Sequence, residues 1–286
     1  MKKNSILLCF FFFIGFSVSL IISCSDPEGD DTVTYTITYD GNGYTSGSVP
    51  IDNNLYEFGD TVIVELNTGN IALVDGLTTA YKLSKWNTKA DGSGIEYPLG
   101  ANFIMGHENI TLYAVWAPYE KGDIGPGGGW IIMDYEVYTD GWRYLELSPN
   151  TSQGNHIIWS DDYFEIGTSS DYGEGDVNTE AITSHYGEGE YAAKYCFDLD
   201  IGGFDDWVLP AIDDIYNSYV MYIEPDNVDV SVFGINTVYI YWSSTENSDN
   251  PAEQAIVFKF EGGFQIYDTA DKKDGSCHAA RAVRYF

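Results

Sequence analysis

Hydrophobic positions along this chain fall into three regimes. Residues 5–22, SILLCFFFFIGFSVSLII, form an unbroken apolar run without charge, preceded by Lys2 and Lys3. Such a run nearly spans a bilayer as a helix, and a basic start before an apolar stretch is equally the layout of an export signal. From residue 32 the period falls to two. VTYTITYD (33–40), DTVIVEL (60–66), AYKLSKW (80–86), ANFIM (101–105) and ITLYAVW (110–116) are rich in β-branched and aromatic residues. Turn signals such as GNG (41–43) and NTKADGSG separate them, so strands are expected. IALVDGL suits a turn or two of helix. Beyond residue 118 both periods occur. DVNTEAITSHYG (176–187) and GEYAAKYCFDLDI (189–201) repeat at helical spacing, with Tyr191, Ala192, Tyr195 and Leu199 on one stripe. Pro210 suits the first turn of a third helix. WRYLEL (142–147), NHIIWS (155–160), VYIYWSSTE (238–246), AIVFKF (255–260), GFQIYD (263–268) and HAARAVRYF (278–286) read as strands. The expected class is α+β, in two domains at 32–117 and 118–286, linked through APYEKGD (117–123).

Ile21-Ile22-Ser23-Cys24 resembles the bacterial lipobox, in which a small residue precedes a cysteine that is diacylated and becomes the new N-terminus. The resemblance implies a signal peptide at 1–23 and lipid attachment at Cys24. The alternative is an uncleaved anchor helix, and either reading places the domains outside the cytoplasm. Residues 24–31 carry four acids, no base and no apolar pattern, so they form an acidic tether. An acidic run there resembles the surface-export signals of Bacteroidetes-type lipoproteins, and Ser25 fits outer-membrane sorting. The expected location is the outer membrane or cell surface.

The formal charge of −31 becomes −33 without residues 1–23, which hold two lysines and no acid. Phosphate backbones require Lys and Arg, so nucleic acid is excluded as a partner. Docking on anionic lipid is disfavoured as well, so the acyl chain must hold the protein to the membrane. Aromatic residues at 16% rule out a disordered chain. With Cys9 in the signal and Cys24 lipidated, Cys196 and Cys277 remain, either as one disulfide or as two thiols.

The string YTITYDGNG…FGDTVIV…KLSKWNTKADGSGIEYPLGANFIMGHENITLYAVW resembles one Listeria–Bacteroides repeat, of the internalin B-repeat type. The W-N-T-x-x-D-G-x-G hairpin and the closing T-L-Y-A-x-W carry the match. The resemblance implies a small β-grasp-like module, often a spacer on bacterial surface proteins. Trp86 and Trp116 match its aromatic positions and are expected in the core.

GDIGPGGGWIIMDY, DGWRYLEL, GGFDDWVLPAIDDIYNSY, YWSSTE and RAVRYF together resemble the C-terminal domain of the Legionella collagen-like protein. That family is related to the C-type-lectin-like fold, also used by formylglycine-generating enzyme. The resemblance implies two to three helices on a mostly antiparallel sheet, with long loops. It also implies a structural disulfide from helix to last strand, at Cys196 and Cys277. Val208 replaces the usual arginine of the D-W-R-L-P stretch.

Several groups of residues offer a candidate chemistry beside a plain structural role. The glycines at 125 and 127–129 lack the P-loop spacing and its lysine, and they precede a strand, so a tight turn is expected. Glu224-Pro225-Asp226-Asn227 resembles the triplets of calcium-dependent C-type lectins, where calcium would sit at Glu224 and Asp226. With Trp242, Glu246 and Asn250 these residues form the candidate ligand-binding set. Trp159 and Trp207 are further candidates for a sugar-stacking face, although core roles are expected for most tryptophans. No catalytic motif appears, and apart from that calcium no cofactor is expected. The reading is a non-enzymatic envelope lipoprotein with a glycan or protein ligand. The alternatives are a formylglycine-generating-enzyme-like catalyst and a purely structural protein.

Overall fold

The computed structural model describes residues 32–75, 79–139, 141–218, 230–261 and 264–286. Cys24 and the Glu224, Asp226, Asn227 triplet lie outside these residues. No described helix is long and apolar enough to cross a membrane.

The first domain contains β1 (Thr34–Tyr35), β2 (Ile37–Asp40), β3 (Tyr56–Glu57), β4 (Thr61–Ile63), β5 (Ala72–Asp75), β6 (Thr79–Asn87), β7 (Glu96–Pro98), β8 (Asn102–Ile104) and β9 (Ile110–Pro118). Its main sheet runs β2-β9-β6-β5, with β7 on β6. β2 lies parallel to β9, with Ile37 opposite Ile110, and β4 and β8 form a separate antiparallel ribbon. The strand expected over 33–40 is interrupted at Thr36, whose N–H goes to the Asn109 side chain (2.9 Å). IALVDGL is not helical over its described part: Ala72–Asp75 pairs with β6, Ala72 opposite Lys82. The ladder supplies backbone partners that a short isolated helical turn lacks. Asn42 (φ 44°) and Gly43 (φ 89°) make the GNG turn in left-handed conformations. Trp86 is fully buried against Tyr39, and its Nε1 donates to the Glu65 carbonyl (3.1 Å). Trp116 packs against the same core, half-buried, its Nε1 donating to the Asn42 carbonyl.

The second domain contains β10 (Trp130–Thr139), β11 (Trp142–Leu147), β12 (Gly154–Asn155), α1 (Gly175–Tyr186), α2 (Ala192–Phe197), α3 (Ile212–Ser218), β13 (Ile240–Glu246), β14 (Gln254–Glu261), β15 (Phe264–Asp271), β16 (His278–Ala280) and β17 (Val283–Tyr285). One sheet is β10-β11-β17 and the other β12-β16-β13-β14-β15. The pairings are antiparallel except β13 with β16.

Four expectations differ from the structure here. HAARAVRYF is not one strand: β16 and β17 belong to different sheets, and the chain crosses between them at Arg281–Ala282. The buried Arg281 side chain fixes that crossover by donating to the carbonyls of Ser148, Phe233 and Gly234. The helix expected over 189–201 covers only Ala192–Phe197, and Gly202 and Gly203 (φ 67° and 83°) then turn the chain back onto Gly127. A Cβ at Gly202 would stand 2.9 Å from the Gly127 Cα. The strand expected over 155–160 stops at Asn155, because His156 takes a left-handed φ of 57°. In addition, Pro210 lies just ahead of α3 rather than in its first turn, its carbonyl accepting the Ser244 N–H (2.8 Å).

The core of the second domain is in two parts. Leu145, Leu147, Ile212, Tyr241, Phe258 and Val283 anchor one. Trp159, Trp207, Trp242, Ile182, Tyr191 and Cys196 anchor the other, beneath α1 and α2. A small apolar contact of Ala80, Tyr119, Ile131 and Tyr144, with the Lys82–Asp123 ion pair, joins the two domains.

Candidate functional site

The residues singled out from sequence do not converge on one ligand site. Trp242 is fully buried; its Nε1 donates to the Ile157 carbonyl (2.8 Å) and its ring stacks on His278 (4.4 Å between centroids). It is a core residue, and so are Trp159 and Trp207. Asn250 sits in the turn between β13 and β14, donating to Glu253 (3.2 Å).

Glu246 is buried and does internal work. Its carboxylate accepts N–H bonds from Ile166 (2.9 Å), Gly167 (2.7 Å) and Thr168 (3.3 Å). It pairs with the equally buried Lys272 (2.5 Å), which also donates to the Phe164 carbonyl (2.7 Å) and lies over the Trp159 ring (4.2 Å). Burial pulls the Lys272 ammonium below its ordinary pKa, and the bond to Glu246 opposes that shift. A buried charge needs such partners, because an unpaired one is strongly penalised. Asn178 and Thr245 add bonds to Ser169, so residues 164–169 are pinned on the sheet.

A second buried carboxylate explains the glycine run. Glu146 accepts the N–H groups of Gly127 (3.2 Å) and Gly129 (2.8 Å) and faces Arg284 (3.5 Å). Burial raises its pKa, against those bonds and the arginine. A Cβ at Gly125 would stand 2.4 Å from the Glu146 carboxyl carbon, and one at Gly127 2.6 Å from the Trp207 ring. The run is glycine because a carboxylate and an indole pack directly against it, leaving no room for a Cβ. Arg284 also binds Asp206 (2.5 Å) and stacks on Phe204 (3.7 Å). This Asp206–Arg284 contact is made without the arginine replaced by Val208.

Cys196 and Cys277 are free thiols, contrary to the disulfide that the lectin-like resemblance implies. Cys196 is sealed into the tryptophan cluster on α2, whereas Cys277 is exposed ahead of β16. Burial holds the Cys196 thiol protonated, well above the ordinary range. Among the described residues no group of three His, Cys, Asp or Glu is placed to hold a metal ion.

A concave surface able to hold a ligand lies elsewhere, beside the edge strand β12. It is a groove of about 710 Å³ between residues 153–158 and α2. Its floor is the half-buried Tyr195. Gly154 lets that ring lie against the strand, since a Cβ there would come within 3.0 Å of Tyr195 Cδ1. Gln153, Asn155, His156, Glu190 and Asp198 line the groove. Several are already oriented. Gln153 Nε2 donates to Asn155 Oδ1 (2.5 Å), Gln153 Oε1 accepts from Tyr241 (3.0 Å), and His156 Nδ1 meets the Ser276 carbonyl (2.7 Å). Lys194 pairs with Asp198 (2.5 Å). Ala192 N donates to the Ile158 carbonyl (2.9 Å), fixing the start of α2 on this edge. An aromatic floor with amide and carboxylate walls is able to stack on an apolar ring face and bond hydroxyl groups. The sequence pattern places Tyr195 only on a helical stripe. The missing signal was Gly154, forty-one positions away.

Comparison with known proteins bears on the first domain. Residues 35–115 match the family model of the Listeria-Bacteroides repeat domain. This segment is a Listeria-Bacteroides repeat. The chain is also similar to two proteins of Evansella cellulosilytica. One, named as a Gly-rich membrane protein, is 37% identical over 124 residues, covering 42% of this chain and 12% of that protein. The other, named as a membrane protein, is 37% identical over 84 residues, covering 29% and 11%. The chain therefore spans only a small part of either relative's length. No solved structure matches it.

Proposed function

We propose that this protein is an envelope lipoprotein whose repeat acts as a spacer and whose C-terminal domain binds a neutral glycan in the Tyr195 groove, without catalysis. The groove itself carries the reading: an aromatic floor with Gln153, Asn155, His156, Glu190 and Asp198 around it. The repeat domain and the names of the two relatives support a place in the envelope. Lipid attachment at Cys24 and sorting to the outer membrane or surface complete the proposal. A C-type-lectin-like fold for residues 118–286 is part of it. In its favour stand helices packed on a mostly antiparallel sheet and a last strand, β17, that returns to β11. The net charge favours neutral over sulfated sugars, since sulfates would meet repulsion. The buried, protonated Cys196 weighs against a formylglycine-generating-enzyme-like catalyst.

The test is a glycan array probed with soluble residues 25–286, with calcium and with EDTA, alongside Tyr195→Ala. Binding that survives EDTA and is lost in Tyr195→Ala supports this groove. Binding that EDTA abolishes moves the site to Glu224 and Asp226. No binding under either condition removes the glycan reading and favours a protein partner or a structural role.

A further inference from the structure

The loop pinned by Glu246 and Lys272 exposes two consecutive aromatic side chains, Tyr163 (40% exposed) and Phe164 (49%). Buried charge is costly to assemble, so its use beneath a loop that turns rings outward needs a reason. Rigid presentation of a contact surface is one, because a preorganised surface loses less entropy on binding. The surroundings identify the ligand class. Lys273 Nζ stands 4.0 Å from the centre of the Tyr163 ring, and the Tyr163 hydroxyl donates to Asp271 (2.9 Å). His185, at the end of α1, stacks on Phe164 (4.1 Å, 20°), which stays half exposed. Asp161, Asp162 and Glu165, the chain neighbours of the two rings, are all exposed. One ring thus already receives a lysine ammonium from the protein itself, inside a rim of carboxylates. Aromatic faces attract cations, and carboxylates reinforce that attraction.

We propose that the Tyr163–Phe164 platform is a second binding surface, for a basic polypeptide segment presenting lysine side chains. The incoming ammonium groups lie on the exposed part of Phe164 and compete with Lys273 for Tyr163. Asp161, Asp162, Glu165 and Asp271 balance their charge. This surface shares no residue with the Tyr195 groove, and neither site depends on the other.

The probe is a short alternating glycine–lysine peptide, acetylated and amidated at its ends, with its Nε-acetyllysine counterpart as the uncharged comparison. Titration is performed at physiological salt, where attraction to net charge alone is screened. The Tyr163→Ala/Phe164→Ala double variant leaves the charge unchanged, and about tenfold weaker binding is expected. Lys273→Ala removes the resident cation, and tighter binding is expected. Lys89→Ala, the same charge change in the distant repeat, is expected to leave binding as it was. Equal binding by wild type and the double variant, or equal tightening in Lys273→Ala and Lys89→Ala, would reduce the interaction to bulk charge and overturn the proposal. So would undiminished binding of the acetylated peptide. Tyr195→Ala, which tests the glycan groove, is expected to bind the peptide as wild type does. Loss of peptide binding in that variant would overturn the independence of the two surfaces.

Discussion

Among the described residues of the repeat, Asn87 is the buried polar side chain, and the core around it is Ile37, Tyr39, Val62, Val64, Trp86, Leu112 and Ala114. In the C-terminal domain Glu146, Asp214, Glu246, Lys272, Arg281 and Arg284 are all exposed by 6% or less. The repeat closes by apolar alternation between short, well-signalled turns. The C-terminal domain must hold long irregular segments, and apolar contacts alone leave their backbone groups unpaired. Carboxylates meet that need: Glu246 for residues 166–168, Glu146 for the glycine run, Asp214 for Gly173 and Ala211. Buried ionic groups fix those segments in one geometry, at a cost in desolvation.

The sharpest way to break the contrast is Lys272→Ala. It leaves Glu246 buried without its cation, and a loss of about 3–5 kcal/mol is expected. The loss should appear in the unfolding of the C-terminal domain only. Two transitions followed by urea titration, with that of the repeat unmoved, would verify it.

Asp214 gives the second prediction. Burial raises its pKa from 3.8 to about 7, while bonds from Tyr285, Gly173 and Ala211 restrain the rise. The unfolded carboxyl loses its proton first as pH rises, so between about 4 and 7 the unfolded state binds fewer protons. Stability therefore falls with rising pH across that window, by at most about 1.4 kcal/mol per pH unit. Glu146, also raised, adds a slope of the same sign. Asp214→Asn should flatten the decline in a melting-temperature series, and an unchanged slope would show that Asp214 is not its source.

Gly127→Ala comes next. Its Cβ would meet the Trp207 ring at 2.6 Å, so a loss of about 1–3 kcal/mol is expected from overpacking. Gly43→Ala in the repeat meets no atom within 4 Å, but its φ of 89° makes it a test of backbone strain alone. Comparing the two melting points separates packing from conformation.

The smallest effect is expected of Asn250→Ala, on an exposed turn: within about 0.5 kcal/mol, with glycan binding unchanged. A loss of glycan binding in that variant would restore the loop after β13 as a ligand site.

Most strands of the repeat, its GNG turn and the burial of Trp86 were legible because neighbouring residues carried the information. The same holds for α1 and for β11, β13, β14 and β15. What misled were places where a distant group overrides local preference. IALVDGL follows the ladder of β6. HAARAVRYF is bent by an arginine that reaches Ser148, Phe233 and Gly234. Glu246 looked like a ligand because acids after a strand are ordinary surface features, and nothing near it in the chain announced Lys272.

The sequence by itself determined the apolar run at 5–22, the lipobox-like spacing before Cys24, the repeat and the acidic balance. All of these are properties of composition or of short spacing. Only the tertiary structure decided that Glu246 is paired internally with Lys272, that Cys196 and Cys277 stand apart, and that Tyr195 on Gly154 floors a groove. Those outcomes depend on contacts between residues tens of positions apart, and burial, pairing and ring stacking exist only once the chain has brought such residues together.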